Sequence, residues 1–237
     1  MEKIKIDNLN LKLSNQFILK NINLEFGSGQ IIGLIGPSGA GKSMLVKSMI
    51  GMQKIDNGKI TILDTAIPNR LIFSEIGYMA QSDSLYENLS AIDNLKFFAG
   101  MYSIHKKELK VRLDYVLKLF RLDNEKHKPI EQYSGGMKRR LSFATALIHN
   151  PQILILDEPT VGLDPVLRQE IWEELEKLKE EKKTILITTH VMDEAIKCDK
   201  LILIRQGEII NQGSVQQLLD IYQVETIEQV FIKSAGE

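Results

Sequence analysis

One loop constrains this chain more than any other feature of the sequence. Residues 36–43 read GPSGAGKS and fill every fixed position of the pattern G-x-x-x-x-G-K-[ST]. The apolar run before it, 30–35, predicts a buried strand, and residues 44–50 predict a helix. Glycines let the backbone curl so that several N–H groups point at a phosphate chain, and the helix N-terminus adds a favourable dipole. The loop therefore predicts a site for a nucleoside triphosphate.

Two side chains of this loop have predicted roles of their own. Lys42 can reach the β- and γ-phosphate oxygens, and the Ser43 hydroxyl can ligate Mg²⁺. The rest of the predicted nucleotide-binding segment is Gly36, Pro37, Ser38, Gly39, Ala40, Gly41 and Met44.

Composition narrows the classes of protein. The 237 residues include 30 Lys and Arg against 31 Asp and Glu, so no polybasic field indicates nucleic acid as a partner. The single cysteine, Cys198, excludes an internal disulfide and is typical of a reducing compartment. No run approaches the roughly 18–20 apolar residues of a membrane span. We therefore expect a cytoplasmic protein, and any membrane part would come from another polypeptide.

The hydrophobic pattern changes along the chain. Residues 4–6, 22–26 and 59–63 alternate polar and apolar, which predicts half-buried strands. The spacing over 91–120 predicts helices, and strands alternate with helices after Pro151, as in a parallel α/β sheet. We expect one domain over 1–237 with four segments. They are a β-rich part with the phosphate loop (1–84), a helical insertion (85–150), the rest of the α/β core (151–213) and a helical tail (214–237).

A second acidic segment complements the phosphate loop. The apolar strand predicted over 153–156 ends in Asp157 and Glu158. Carboxylates at the end of a buried strand are costly unless a cation neutralises them. Asp157 is suited to hold Mg²⁺, directly or through water. Glu158 is suited to face the γ-phosphate, where it would accept a proton from the attacking water or orient it.

Two further segments are placed to contact the triphosphate. His190 follows the apolar strand predicted over 184–189, which puts its imidazole at the carboxyl edge of the sheet, where ligands of open α/β sheets bind. Ser134, Gly135 and Gly136 open a helix predicted over 137–148, and a small hydroxyl with two glycines at a helix start makes a second anion-binding surface.

Taken in order, these segments resemble the nucleotide-binding subunit of an ATP-binding cassette (ABC) transporter over essentially the whole chain. The resemblance implies a P-loop NTPase core of the ABC ATPase type, with an N-terminal antiparallel β-subdomain and an inserted α-helical subdomain. The matching motifs are the phosphate loop (Walker A), Gln81, the signature Ser134-Gly135-Gly136, Asp157-Glu158 (Walker B), the D-loop Gly162-Leu163-Asp164, and His190.

The signature region, 133–141, is similar to that of exporters of the ABC-2 type. The resemblance implies an ATPase with Lys42, Glu158 and His190 as catalytic residues and Ser43, Gln81 and Asp157 as Mg²⁺ ligands. It also implies a head-to-tail dimer with a second copy or a homologous ATPase, each ATP touching Ser134, Gly135, Gly136 and Met137 of the partner. A separate membrane permease would dock in a groove around residues 82–89, and the chain would sit on the cytoplasmic face of the membrane.

Two motifs depart from the family pattern, the signature and the adenine-stacking place. Tyr133 and Met137 stand where the usual signature has Leu and Gln, and Met137 has no hydrogen-bond donor for the nucleotide in its side chain. The family stacks adenine on an aromatic residue upstream of the phosphate loop. Leu13 occupies that place here, and Phe17 lies nearby as the other candidate.

Other classes of function agree less well with this sequence than transport does. Family members that serve DNA repair carry a long coiled coil for which this chain has no room, and those that serve translation usually carry two cassettes. Members that serve iron–sulfur assembly are single cassettes, so length does not exclude them. A guanine-nucleotide switch would need an Asn-Lys-x-Asp motif, which is absent. A scaffold role would leave the hydrolytic groups unexplained.

Overall fold

A computed structural model describes residues 2–82, 84–102 and 104–234. The chain divides into two compact units. The first unit comprises Met1–Phe73 and Glu176–Glu237, and the second comprises Ser74–Leu175. The segment boundaries at 84, 150 and 213 remain predictions.

Ten strands and eight α-helices form the described chain. The strands are β1 (Glu2–Leu13), β2 (Gln16–Gly27), β3 (Gln30–Ile35), β4 (Asn57–Ile62), β5 (Thr65–Ala66), β6 (Ile76–Met79), β7 (Ile153–Asp157), β8 (Thr184–Thr189), β9 (Lys200–Arg205) and β10 (Glu208–Gly213). The helices are α1 (Lys42–Met49), α2 (Ala91–Met101), α3 (Lys106–Leu119), α4 (Gly135–Leu147), α5 (Pro165–Glu180), α6 (Met192–Ala195), α7 (Val215–Tyr222) and α8 (Ile227–Ser234).

An antiparallel sheet in the order β2-β1-β4-β5 forms one layer of the first unit. β1 and β2 are joined by a two-residue turn at Ser14 and Asn15, which have φ values of 48° and 64°. Left-handed conformations at both turn residues match the right-handed twist of the flanking strands, which favours tight pairing. The turn sets Leu13 opposite Gln16 and Lys12 opposite Phe17.

A second layer of the first unit places β3 between two parallel neighbours. β3 pairs with β8 on one side and with β9 on the other, and β10 pairs antiparallel with β9. Every residue of β8 is buried, and so is every residue of β3 after Gln30. Strands covered on both faces read as continuous apolar runs, which is the pattern that predicted them.

The second unit combines a parallel strand pair with α2, α3, α4 and the first part of α5. β6 and β7 pair in parallel from Ile76 opposite Ile153 to Met79 opposite Leu156. Beside them, Phe120 at the end of α3 and Phe143 of α4 lie with ring centroids 5.0 Å apart, and both are buried. Both rings lie among the buried apolar residues that an amphipathic helix packs against a partner surface.

The expected α/β class, N-terminal antiparallel sheet and helical segment are confirmed, with changes at element ends. The helix after the phosphate loop begins at Lys42 instead of 44, and α4 begins at Gly135 instead of 137. The helix that follows β8 is limited to α6, because the N–H groups of Lys197 and Cys198 bond three residues back in tight turns. Cys198 is buried, and burial raises the pKa of its thiol to about 12. Within the described residues, no helix combines the length and apolar character that crossing a membrane requires.

We expect Ile155→Ala to destabilise the chain, because Ile155 is fully buried in β7 and its loss leaves a cavity. The free energy of unfolding, measured by urea denaturation, should fall by about 2–5 kcal/mol. Val111→Ala, at a position of α3 that is 66% exposed, is the matched control and should change it by less than about 0.5 kcal/mol. Equal losses in the two variants would contradict the burial of β7.

Candidate functional site

The phosphate loop runs from the end of β3 to the start of α1. Gly36 is buried within the first unit. A Cβ at this position would lie 2.3 Å from the Ile204 carbonyl oxygen. Gly41 precedes α1 with φ 106°, a conformation that a side chain would strain. Ala40 donates its N–H to the Pro37 carbonyl oxygen at 3.1 Å, which closes the turn. The glycines are therefore required by the backbone path itself.

The lysine of the loop lies over the loop's own backbone. Lys42 Nζ donates to the carbonyl oxygens of Gly36 at 2.6 Å and of Pro37 at 3.0 Å. Lys42, Ser43 and Met44 form the first turn of α1, where N–H groups have no acceptor within the helix. The Lys42 ammonium group and the N–H donors at the start of α1 thus lie in one segment, which favours binding of an anion there.

His190 follows the strand next to β3. Ile35 and Thr189 are paired residues of β3 and β8, so Gly36 and His190 leave neighbouring strands at the same level. The imidazole is exposed. Thr189 holds this turn, because its hydroxyl accepts from the Val191 N–H at 3.0 Å and donates to Glu194 Oε2 at 2.8 Å. Thr189 and Glu194 are both buried, and sequence reasoning did not identify either of them.

The acidic pair lies at the end of β7 in the second unit. Asp157 is the last strand residue and is 3% exposed, while Glu158 follows it with φ 53°. Gln81, two residues beyond β6, donates from Nε2 to Glu158 Oε2 at 3.3 Å. Burial, followed by the charge of Asp157, raises the pKa of Tyr78 on β6. Parallel pairing of β6 and β7 therefore brings the predicted Gln81 and Glu158 together.

Sequence reasoning missed Arg139, a guanidinium of α4 that is 7% exposed. It donates to the carbonyl oxygens of Gln81 at 3.0 Å and of Glu158. The available signal was its helical spacing, since Arg139 shares three- and four-residue spacing with the buried residues Ser142 and Phe143.

The signature segment forms the capped start of α4. Ser134 is the N-cap residue, and its hydroxyl accepts from the Met137 N–H at 3.3 Å. Gly135 is exposed, and a Cβ on Gly136 would lie 3.6 Å from the Gly162 carbonyl oxygen. The signature and D-loop turns are therefore neighbours within the second unit, with N–H groups at the helix start available for an anion.

Tyr133, the first departure from the family pattern, has a structural explanation. Its ring is 6% exposed, and its hydroxyl donates to the Glu125 carbonyl oxygen at 2.7 Å. Burial, with a contribution from the charge of Glu125, raises the pKa of Tyr133 to about 12. A tyrosine can replace the leucine of the family pattern at this buried position because its only polar side-chain atom, the hydroxyl oxygen, has a hydrogen-bond partner.

The D-loop leads directly into α5. Leu163 is buried and donates its N–H to the Thr160 carbonyl oxygen at 3.1 Å. Asp164 is fully exposed and accepts from the Leu167 N–H at 3.0 Å, and this hydrogen bond lowers the pKa of its carboxyl group. Asp164 thus acts as the helix cap, with Pro165 in the first helical position.

A cavity of about 600 Å³ lies beside the phosphate loop in the first unit. Phe17 lines it together with Gly39, whereas Leu13 is not among the lining residues. Both side chains are about two-fifths exposed, at 43% and 42%, and Lys12 Nζ lies 4.3 Å from the centroid of the Phe17 ring. The remaining lining residues are Asn15, Gln16, Ile18, Lys20, Gln206 and Gly207.

Known proteins share this arrangement of elements. A family profile described as "ABC transporter" matches residues 19–161. Nod factor export ATP-binding protein I of Sinorhizobium fredii (strain NBRC 101917 / NGR234) is 40% identical over 220 residues, which cover 92% of this chain and 64% of that protein. The protein of the same name from Rhizobium sp. (strain N33) is 37% identical, covering 93% of this chain and 74% of its own length. The chain thus spans about two thirds of the length of these relatives.

Several solved structures have a fold similar to that of this chain. The structure of cbiO1 from Clostridium perfringens, part of the ABC transporter complex cbiONQ, is 30% identical with a TM-score of 0.81, covering 98% of this chain and 94% of that one. The ATP-binding cassette MJ0796, solved as a dimer in a post-hydrolysis state bound to ADP and Pi, is 27% identical with a TM-score of 0.82, covering 89% and 98%. The expected resemblance is confirmed: this chain belongs to the ABC transporter family and has the α/β fold of its ATP-binding cassettes.

Proposed function

We propose that this chain is the ATP-binding and ATP-hydrolysing subunit of an exporter of the ABC-2 type. The observation that carries the proposal is the end of β7, where Asp157 and Glu158 leave a fully buried strand and Gln81 contacts the Glu158 carboxylate. Carboxylates near buried backbone are costly unless a cation or a reacting group uses them, which suits a site for Mg²⁺ and hydrolysis. The ABC-2 assignment agrees with relatives that are named as export ATP-binding proteins.

ATP binding starts at the phosphate loop. Phosphate oxygens would replace the carbonyl oxygens of Gly36 and Pro37 as acceptors for Lys42 Nζ. Hydrogen bonds between an ammonium group and a phosphate are charge-assisted and therefore stronger than those to a neutral carbonyl oxygen. N–H groups of the loop and of the first turn of α1 would bind the same phosphates without any change in the helix.

Hydrolysis requires a water placed in line with the bond that breaks. We assign Glu158 to orient that water and accept its proton while the water oxygen bonds to the γ-phosphorus and the bridging oxygen leaves on ADP. His190, at the paired ends of β3 and β8, would donate to a γ-phosphate oxygen. Lys42 would stabilise the charge on the transferred group.

Mg²⁺ is the metal that the family implies, and the donor set suits it. Ser43 supplies a hydroxyl, Gln81 an amide oxygen and Asp157 a carboxylate, all hard oxygen donors of the kind Mg²⁺ prefers. When bound, the ion would neutralise charge on the β- and γ-phosphates. These three residues are the ones we propose to hold it.

A dimer would complete the site. MJ0796, with the same fold, was solved as a dimer, and we propose that two copies of this chain, or one copy and a homologous ATPase, pair around two ATP molecules. Ser134, Gly135, Gly136 and Met137 of one subunit would meet the γ-phosphate held by its partner. The capped start of α4 presents about half a positive charge to that anion. Leu163 and Asp164 of the D-loop lie next to this surface through Gly162.

Transport would need a separate membrane permease, with the chain bound to it at the cytoplasmic face. The groove expected around residues 82–89 includes Asp83, which lies outside the described residues. Tyr86, within this range, and Phe97 of α2 form an edge-to-face pair with ring centroids 4.6 Å apart. Both residues are nearly half exposed, at 48% and 45%. Exposed aromatic rings of this kind suit an apolar helix from the permease. The cargo would be selected mainly by that permease.

Adenine would bind in the cavity beside the phosphate loop. We propose Phe17 as the stacking residue, because Phe17 and Gly39 line the cavity and Leu13 does not. A soluble role in iron–sulfur assembly is the alternative, and the export names of the relatives favour transport instead.

We expect Glu158→Gln to keep ATP binding and to lower the rate of phosphate release by about 10²–10⁴-fold, because the amide cannot accept a proton. Phosphate release by the purified chain measures turnover, and equilibrium dialysis measures binding. Glu173→Gln, an exposed position on α5, is the matched control and should keep full activity. Lys42→Ala should lose both binding and turnover. Undiminished hydrolysis by Glu158→Gln would remove Glu158 from the proposed role.

We expect Ser134→Arg to leave ATP binding by the monomer intact and to block ATP-driven dimerisation, because a large cation would fill the capped start of α4. Sedimentation with ATP in the Glu158→Gln background measures the dimer. Gln216→Arg adds the same charge at an exposed position of α7 and should still dimerise. A dimer of the Ser134→Arg variant would argue against the proposed contact in trans.

We expect Phe17→Ala to weaken ATP binding more than Leu13→Ala does. Loss of base stacking costs about 1–3 kcal/mol, so affinity should fall by at least about fivefold. Calorimetric titration with ATP and with inorganic triphosphate separates base from phosphate binding, and only ATP binding should weaken. An equal effect on both ligands would contradict stacking by Phe17.

A further inference from the structure

Arg139 connects three parts of the second unit through its guanidinium. Nη1 donates to the carbonyl oxygens of Ala80 at 2.9 Å and Gln81 at 3.0 Å, and Nη2 donates to those of Asp157 and Glu158. The first two carbonyls follow β6, and the other two end β7. One planar side chain thus spans the ends of both strands. We call this set of four hydrogen bonds the carbonyl clamp.

The chemistry of arginine suits this position in a way that other residues do not. Its guanidinium holds five N–H donors in a rigid fork, so it can bind several acceptors in fixed directions. The side chain is 7% exposed, which places these bonds in a medium where they are stronger than in water. A lysine carries its three donors on a single nitrogen and cannot span two strand ends in the same way.

The clamp acts on residues that need support. Glu158 has φ 53°, a conformation that costs a residue with a side chain some free energy and persists only when its surroundings hold it. The clamp binds the Glu158 carbonyl oxygen, while Gln81 Nε2 contacts its carboxylate. The backbone of Gln81 is bound by the same guanidinium. The relative position of Gln81 and Glu158 therefore depends on Arg139.

The clamp also reaches the signature segment. Arg139 lies four residues after Gly135, slightly more than one turn into α4. α4 is a continuous helix capped by Ser134, so a displacement at its start would move Arg139 with it. The same side chain thus joins the anion-binding start of α4 to the ends of β6 and β7.

We propose that Arg139 is a positioning residue, which fixes Gln81 and Glu158 for hydrolysis and ties their placement to the signature segment of the same chain. This inference rests on the proposed function. In the proposed dimer the signature segment contacts the partner's nucleotide, so Arg139 would make hydrolysis at one nucleotide depend on occupancy of the other. Reciprocal dependence of this kind is a coupling between two sites.

The test uses Arg139→Gln and Arg139→Lys in the purified full chain. We expect Arg139→Gln to lower kcat by about 10- to 100-fold, since small displacements of positioned groups cost rate on that scale. The Kd for ATP should stay within about twofold, because the clamp lies outside the phosphate loop. If the two sites are coupled through Arg139, the wild-type rate should depend sigmoidally on ATP concentration and both variants should show a hyperbolic dependence. Arg139→Lys should recover thermal stability more fully than it recovers kcat.

Arg112→Gln is the matched control. Arg112 is also a guanidinium of the second unit that donates to main-chain carbonyls, from Nε to Ile148 at 3.1 Å and from Nη2 to Leu147, at the other end of α4. Its loss should lower thermal stability without changing kcat or the shape of the ATP dependence. An equal loss of kcat in the Arg112 and Arg139 variants would overturn the proposal, because a general weakening of α4 would then explain both.

Hydrogen exchange tests the clamp without relying on ATP turnover. Peptides covering residues 157–163 should exchange faster in both Arg139 variants than in the wild type, and Arg112→Gln should leave them unchanged. Unchanged exchange in the Arg139 variants would overturn the clamp even if the wild type hydrolyses ATP. A wild type without ATPase activity would instead contradict the proposed function, and faster exchange in the Arg139 variants would still support the clamp.

Discussion

Parallel pairing of buried strands is the constraint on which the functional residues depend. Because β3 and β8 pair in register, the phosphate loop and His190 begin at the same level of the first unit. In the second unit, the pairing of β6 with β7 does the same for Gln81 and the acidic pair. The strands can only be shifted by breaking their hydrogen bonds and exposing apolar faces, so the groups that follow them have little freedom to move.

In both units, the predicted functional segments follow the end of a strand, and side-chain hydrogen bonds hold the turns that they form. Thr189 and Glu194 hold the turn around His190 through buried hydrogen bonds, and Arg139 does so after β6 and β7. The Ser134 hydroxyl accepts a hydrogen bond from an N–H group at the start of α4, and the Asp164 carboxylate does the same at the start of α5. These side chains bind main-chain groups next to the predicted site residues. Their chemistry explains why short polar segments can keep one conformation beside a buried sheet.

The departures from the family pattern have different physical meanings. Tyr133 is accommodated because its ring is buried and its hydroxyl is bound by the Glu125 carbonyl. Met137 keeps its role in the helix cap, since the contact to Ser134 uses its N–H and not its side chain. At the proposed base-binding cavity, the hairpin turn at Ser14 and Asn15 places Phe17 in the lining and leaves Leu13 out of it. Phe17, two positions beyond the turn, is therefore the residue proposed for base stacking in place of Leu13.

Sequence alone determined the α/β class, the strands β1, β2, β3, β4, β7 and β8, most of the helices, and the motifs that identify the family, whereas β5, β6, β9 and β10 lie outside the predicted strands. These features are local, because periodicity and glycine spacing act within a few residues. Helix starts were misplaced by two residues at Lys42 and Gly135, since a glycine-rich segment gives no periodic signal. Tertiary structure showed what Arg139, Thr189 and Glu194 bind, because their partners lie on other elements or in turns without a motif. Hydrogen bonds between distant segments depend on how strands pair, and the residue order of a single chain does not encode that pairing in any local pattern.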